Sequence, residues 1–348
     1  MSEFATRLLA WFDNHGRHDL PWQHPRSAYR VWVSEIMLQQ TRAETVIPYF
    51  QTFMQRFPDV RALAEAPADD VLHLWAGLGY YARARNLHQA ARLLVERHGG
   101  ELPPQRGALE SLPGIGRSTA GAILSQAYGH PEAILDGNVR RVLARHSGIE
   151  GWPGSPAVQR RLWSVAEARV PGFRMADYTQ AIMDLGATVC IRSRPDCVRC
   201  PVAADCMALA QGRVADLPTP RPGRSLPVRT RWAGLLCATE GVYLQRRAAT
   251  GIWGGLYSLP EREDAGTLRD WILSSWPGAQ PIPHPVDRIA HVFSHYRLDL
   301  RILRFRLPPG ACGIMDGEQA IWYKSRLPIR VGLPAPIERF LREHGNPE

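Results

Sequence analysis

The spacing of apolar residues changes once along this chain, and that change constrains its fold more than any other feature. Up to about residue 210, apolar side chains recur at intervals of three and four: VWVSEIMLQQ (31–40), VLHLWAGL (71–78), NLHQAARLLVERHG (86–99), TAGAILSQAYG (119–129) and QAIMDLGATVC (180–190). Such spacing lines one face of a helix. Gly and Pro separate the runs, so residues 1–215 are expected to form an all-α region of short helices. The stretch DLPTPRPGRSLPVR (216–229) interrupts the pattern, because its prolines sustain neither helix nor central strand. An interdomain linker is predicted over 216–230. Beyond it, WAGLLCATEGVYLQRR (232–247) and YRLDLRILRFRL (296–307) alternate as strands do, with one helical segment, TLRDWILSSW (267–276), between them. The chain therefore reads as multi-domain, with a smaller α+β domain over 231–348.

Composition narrows the partners. With 42 Lys and Arg against 33 Asp and Glu, the net charge is +9 over 348 residues, and arginine, whose planar fork suits phosphate, carries nearly all the positive charge. A polyanion fits that balance, although charge alone does not separate it from a merely arginine-rich composition. No uninterrupted apolar stretch is long enough to span a membrane, and the start, MSEFATRLLAWFDNHG, is an amphipathic helix pattern without a signal-peptide core. A cytoplasmic monomer, nucleoid-associated and with no membrane partner, is expected. Four of the six cysteines, Cys190, Cys197, Cys200 and Cys206, crowd into the spacing C-x6-C-x2-C-x5-C, which points to metal rather than disulfides. Spacing alone admits tetrahedral zinc or a cubane 4Fe-4S cluster. Cys237 and Cys312 read as ordinary buried thiols.

Several segments could carry chemistry. LESLPGIGRSTAGAIL (109–124) is a helix end, a tight turn with Gly114 and Gly116, and a new helix beginning near Ser118. Its free N–H groups could meet a phosphate. In ILDGNVRRVLARH (134–146), Asp136 precedes a helix start, with Asn138 available as its cap; taken alone, Asp136 is a routine turn or cap residue. Glu35 is the one acid in an apolar helix, open either to a solvated face or to a raised pKa. Tyr80 sits in AGLGYYARARNL (76–87) beside Arg83 and Arg85, where an exposed ring could stack on an unstacked base and a buried one would be core.

In combination these segments resemble the helix-hairpin-helix (endonuclease III) superfamily, and within it the MutY family of adenine glycosylases. The match rests on LPGIG, on Leu135-Asp136-Gly137-Asn138-Val139 downstream of it, on VWVSEIMLQQTR (31–42) and on the cysteine spacing. The resemblance implies an enzyme of base excision repair that flips adenine out of duplex DNA opposite 8-oxoguanine or guanine. It implies that Glu35 protonates adenine N7, that ionised Asp136 stabilises an oxocarbenium-like sugar, and that Asn138 belongs to the same site. Gln40, Thr41 and Tyr80 would contact DNA, with Gln40 filling the space adenine leaves and Tyr80 inserting next to 8-oxoguanine. The four cysteines would hold a 4Fe-4S cluster of structural role, anchoring a basic loop with Arg192, Arg194 and Arg199 against phosphates. Where lysine-using relatives form an imine, this chain has Ser118, which implies little or no lyase activity.

The second domain carries a further resemblance. In GIWGGLYSLPERED (251–264), Gly255 and Glu261 stand at the G-x5-E spacing that opens a Nudix motif. The following helix offers Arg269-Asp270 and then Trp271, Ile272, Leu273, Ser274 and Ser275, so the glutamates that would hold divalent metal are missing. AHVFSHYRLDL (290–300) matches the MutY loop that reads 8-oxoguanine, which implies that role for Phe293, Ser294 and His295. The rival readings are an endonuclease III-like pyrimidine glycosylase and lyase, a Nudix-type nucleotide hydrolase, and a DNA-damage binder without catalysis.

Overall fold

A computed structural model describes residues 3–223, 225–311, 319–324 and 331–345. Cys312 lies outside the described residues. The helices are α1 (Glu3–His15), α2 (Ala28–Leu38), α3 (Ala43–Arg56), α4 (Val60–Glu65), α5 (Ala68–Leu74), α6 (Ala82–His98), α7 (Arg106–Glu110), α8 (Arg117–Tyr128), α9 (Gly137–His146), α10 (Pro156–Glu167), α11 (Met175–Asp184), α12 (Met207–Ala210), α13 (Ala265–Ser275) and α14 (Ala335–His344). The strands, all C-terminal, are β1 (Val228–Ala238), β2 (Gly241–Arg246), β3 (Tyr257–Ser258), β4 (Glu261–Arg262), β5 (Gln280–Pro281), β6 (Asp287–Val292), β7 (Arg297–Arg306) and β8 (Ala320–Tyr323). The chain divides into two compact units, residues 1–65 with 86–223, and residues 66–85 with 224–348.

The first unit is helical, as the three-and-four spacing requires. One core gathers Phe4, Leu8 and Phe12 of α1, Leu135 and Val139 at the start of α9, and Tyr178, Ile182 and Leu185 around the end of α11. α8 is unusual for a surface helix, because every residue from Thr119 to Gln126 is buried. It is the central rod against which α2 and α11 pack. Its polar groups are satisfied internally: the Ser125 hydroxyl donates to the Gly121 carbonyl at 2.6 Å and accepts from the Thr179 hydroxyl at 2.9 Å. Past α11 the backbone widens into a π-helical turn, Leu185–Val189, that delivers Cys190.

In the second unit a mixed sheet runs β3-β2-β1-β7-β5, with β4 on β1, β6 on β7 and β8 on β2. β1 and β7 pair in parallel over ten residues, Val228↔Arg297 to Cys237↔Arg306, and β6 and β7 form an antiparallel hairpin. Alternation along the strands buries both sheet faces. One face meets Ile337, Phe340 and Leu341 of α14, and the other meets Leu268 and Ile272 of α13 with Trp276. Cys237 is buried in the first of these layers. Residues 66–85 count with this unit through specific ties: the Tyr81 hydroxyl donates to the Leu333 carbonyl at 2.9 Å, and Arg85 to the Gly254 carbonyl at 2.6 Å.

Candidate active site

Two acids stand close together in the first unit. Glu35 lies in α2, which starts where the Ser27 hydroxyl accepts from the Arg30 N–H and ends where Gln40 takes a left-handed φ of 60°. Its flanking residues Ser34, Ile36 and Met37 are buried, and the carboxylate is half-buried, reached by the Gln126 amide of α8 at 3.4 Å. Burial, then the charge of Asp136, push the Glu35 carboxyl up to about 8, against the opposing pull of the Gln126 hydrogen bond. A like charge at Asp136 acts on Glu35 only across a short distance, so the two acids, about a hundred residues apart in sequence, share one locality.

Asp136 is set differently. Its carboxylate caps α9, accepting from the Val139 N–H at 2.7 Å. Burial raises its pKa too, opposed by the Val139 and Asn138 N–H groups and by the Arg141 and Arg140 charges. These donors favour the anion at Asp136, whereas Glu35 has one amide, so Asp136 ionises first and its charge then holds the proton on Glu35. Asp184, a third acid in the unit, is buried and fully engaged: it accepts from the Arg17 backbone N–H at 2.7 Å, from the Arg17 guanidinium and from Gln180. It is a structural acid.

Of the two caps the sequence left open for α9, the structure takes Asp136. Asn138 does not cap α9; it lies inside the first turn, and its side-chain oxygen accepts from Arg141 at 2.8 Å. Asp136 is itself the cap, because its side chain is one position outside the helix and can turn back onto the Val139 N–H. Ser118 has a role that its lack of an amine did not suggest. Its hydroxyl accepts from the Leu135 N–H at 2.9 Å, while the Leu135 carbonyl accepts from Arg140 at 3.1 Å, so the peptide immediately before Asp136 is held on both sides. The same segment runs hard against α8 at Gly121, where a Cβ would lie 2.4 Å from the Ala133 carbonyl oxygen.

The hairpin between α7 and α8 uses its glycines unequally. Gly114 has φ +82°, which the turn requires, whereas Gly116 has φ −99° and open space where a side chain would stand. Gly116 opens α8 without a side-chain cap, leaving the first N–H groups of a twelve-residue helix exposed toward solvent. Gln40 is exposed in its left-handed turn, with Thr41 half-buried behind it and its N–H bonded to the Leu38 carbonyl at 3.2 Å. Tyr80, in the second unit, is 52% exposed with φ +49°, so it is not core. Arg83 is buried beneath it, its guanidinium 5.6 Å from the Tyr80 ring and donating to the Leu78 and Gly79 carbonyls. Strained exposed side chains of this kind mark functional positions more often than structural ones.

The four cysteines border one cleft, otherwise walled largely by Val142, Leu185, Val189 and Val202. Among the described residues no three His, Cys, Asp or Glu side chains converge as they would on a single ion. The donor set, four thiols lining one cleft, fits a group held by thiolates. Burial, and then the charges of neighbouring cysteines, raise the Cys197 thiol; Cys200 is raised to about 11, chiefly by burial. Arg192, Arg194 and Arg199, between the cysteines, are exposed.

Two residues with large roles were not singled out from the sequence. Arg141 donates to the Cys190 carbonyl at 2.7 Å, to the Gly186 carbonyl at 2.6 Å and to Asn138. Arg145, 3% exposed, donates to the carbonyls of Leu217, Ile191 and Arg192 and to the Cys190 sulfur at 3.4 Å. They stand four apart on the helix that Asp136 caps, so one face of α9 carries both the acid's anchorage and the first cysteine's. The i, i+4 spacing of arginines facing a cysteine loop was the available signal.

In the second unit, residues 293–295 form the turn of the β6–β7 hairpin. Ser294 and His295 are exposed, the hydroxyl 3.4 Å from His295 Nδ1, while Phe293 is half-buried with its N–H donating to the Tyr296 carbonyl at 2.9 Å. Glu261 forms an ion pair with Arg247, each side chain largely buried.

Residues 33–168 match the HhH-GPD superfamily of base excision DNA repair proteins, and residues 231–343 match the NUDIX domain family. The adenine DNA glycosylase of Buchnera aphidicola subsp. Acyrthosiphon pisum is 35% identical over 97% of this chain and 96% of its own length. That of Homo sapiens is also 35% identical, covering 89% of this chain and 70% of its own. A thermostable thymine-DNA glycosylase structure superposes with a TM-score of 0.53 at 27% identity, covering 60% of this chain and 95% of that one. Endonuclease III in a non-covalent DNA complex gives 0.52 at 21% identity, covering 60% and 94%, and shares the fold. With relatives of that identity along nearly its whole length, the chain belongs to the adenine DNA glycosylase family and is a DNA N-glycosylase of base excision repair.

Proposed function

We propose that this enzyme flips adenine out of duplex DNA opposite 8-oxoguanine or guanine and hydrolyses its N-glycosidic bond. The observation that carries the reading is the pair of buried acids with unequal surroundings: burial raises both, Glu35 to about 8, but only Asp136 has backbone N–H donors and arginine charges that oppose the rise and favour its anion. Glu35 gives its proton to N7 of the extruded base, the C1′–N9 bond breaks with its electrons moving to adenine, and the Asp136 carboxylate faces the positive charge that grows on the sugar. Water adds at C1′ and loses a proton, leaving free adenine and an abasic site. Gln40 and Tyr80 fill or flank the vacated stack, and the bare start of α8 at Gly116 receives a backbone phosphate. Cys190, Cys197, Cys200 and Cys206 would hold a 4Fe-4S cluster, whose part is to fix the loop carrying Arg192, Arg194 and Arg199.

Single-turnover release of adenine from duplexes with A:8-oxoG, A:G and A:T, with iron quantified in the same preparation, tests the whole reading. Release is expected to be fastest for A:8-oxoG, slower for A:G and undetectable for A:T, at about four irons per chain. Equal release from A:T, or a zinc-loaded preparation, refutes the corresponding part.

Strand cleavage separates this reading from a bifunctional glycosylase. Ser118 offers no amine and its hydroxyl is committed to the Leu135 N–H. β-Elimination at the abasic product is therefore expected to lag base release by at least about a hundredfold, measured on denaturing gels with and without hot alkali. Equal rates would return a lyase.

Ser294 and His295 are exposed, and in this reading the Ser294 hydroxyl or a backbone group of the turn accepts from N7-H of 8-oxoguanine, a donor that guanine lacks. The Ser294→Ala, His295→Ala double variant is expected to lower the preference for A:8-oxoG over A:G by about ten- to a hundredfold. An unchanged ratio removes the hairpin from lesion reading.

A further inference from the structure

Trp253 is a bulky residue held in a backbone conformation that such residues avoid. It lies in the GIWGG segment between β2 and β3 with φ +54°. A non-glycine residue there costs about 1–3 kcal/mol and persists only where its surroundings over-determine it. Its surroundings are the hairpin. The indole packs edge-on against Phe293 at 5.3 Å between ring centroids and against His291 at 5.6 Å. Phe293 is also in contact with His291 at 4.5 Å and Tyr296 at 5.0 Å, so its ring is enclosed while Ser294 and His295 next to it stay in solvent.

The other side of Trp253 leads to the Nudix-like signature. The Arg247 guanidinium lies 5.8 Å from the indole and donates to the Ile252 carbonyl at 3.0 Å. Its partner is Glu261, the glutamate of the G-x5-E spacing. That carboxylate is thus paired with an arginine rather than left free. A continuous series of contacts runs Glu261, Arg247, Trp253, Phe293 and ends at the exposed tip.

We propose that Trp253 is a positioning residue for lesion recognition, and that the remnant Nudix signature serves as the mount of the 293–295 tip. The proposal rests on the reading that this tip discriminates 8-oxoguanine. A short turn exposed to solvent is placed by the side chains it packs inward, here buried Tyr296 and half-buried Phe293, and hydrogen-bond discrimination at Ser294 is lost with a displacement of about 1 Å.

The test is single-turnover adenine release by the full-length enzyme from A:8-oxoG and A:G duplexes, with thermal melting of each variant. Trp253→Ala is expected to lower the A:8-oxoG to A:G rate ratio about tenfold, through loss of the aromatic contacts. Trp253→Phe, which keeps a ring against Phe293, retains the ratio to within about twofold. Glu261→Gln, which releases Arg247, lowers it about two- to threefold; should Trp253→Ala not fold, Trp253→Leu and Glu261→Gln carry the same test. A retained ratio in Trp253→Ala, with the Ser294→Ala, His295→Ala variant losing it, overturns the mount and leaves the tip as reader. Retention by both overturns the tip reading and the mount with it.

Discussion

Glu35→Gln and Asp136→Asn are each expected to slow single-turnover adenine release by at least about a thousandfold, some 4 kcal/mol of activation free energy, while duplex binding stays within a few fold. The amides are chosen for what they keep. Glutamine retains the shape of Glu35 and its contact with Gln126 but has no proton to give. Asparagine retains an oxygen for the Val139 N–H, so α9 stays capped and only the charge facing the sugar is lost. The wild-type rate in either variant would remove that acid from the mechanism.

The pH profile is the sharper form of the same prediction. Glu35 acts as an acid, so its protonated form is the active one, and burial with the Asp136 charge places its titration at about 8. Release is expected to fall about tenfold per pH unit above that point, because the protonated fraction does. Asp136 acts as an anion, so the rate also falls on the acid side, through a pKa that burial raises above the ordinary aspartate value. In Glu35→Gln the alkaline limb should vanish along with most of the rate. An alkaline limb that survives there belongs to another group.

Arg145→Ala is expected to lower the melting temperature by about 10 °C and to leave the enzyme short of iron. Arg145 is buried, and its guanidinium serves the carbonyls of Leu217, Ile191 and Arg192 together with the Cys190 sulfur. Truncation leaves those acceptors without a donor, at a cost of about 3–5 kcal/mol. In a unit of this size each kcal/mol moves the midpoint by about 2–4 °C. Arg145→Lys should not restore the loss, because one ammonium cannot span acceptors spread along two loops. Calorimetry and iron content decide it, and a variant that melts and loads like the parent would show that the cysteine loop stands without this arginine.

Much of this was legible in the residues. The change from helical to alternating spacing at the proline-rich segment located the shift in architecture, because period follows from the local geometry of helix and strand. The cysteine spacing announced a cluster of thiols, which do line one cleft, and LPGIG a tight hairpin, since both are local constraints written in contiguous residues. Where reasoning stayed local it left a choice open: Asn138 and Asp136 both read as caps of α9, and Asp136 takes that place while Asn138 serves Arg141. Nothing local distinguishes two polar residues two positions apart at a helix start.

The chain by itself thus determined its periodic elements, its turns and its candidate ligands, properties that depend on neighbours a few residues away. Tertiary structure alone decided that the charge of Asp136 reaches Glu35, that Ser118 and Arg140 hold Leu135 just before the acid, that residues 66–85 count with the C-terminal unit, and that Glu261 pairs with Arg247. Each of these is a contact or charge effect between segments far apart in sequence. A carboxyl group's pKa is set by the water it loses and the charges brought near it, and both exist only once distant helices have packed.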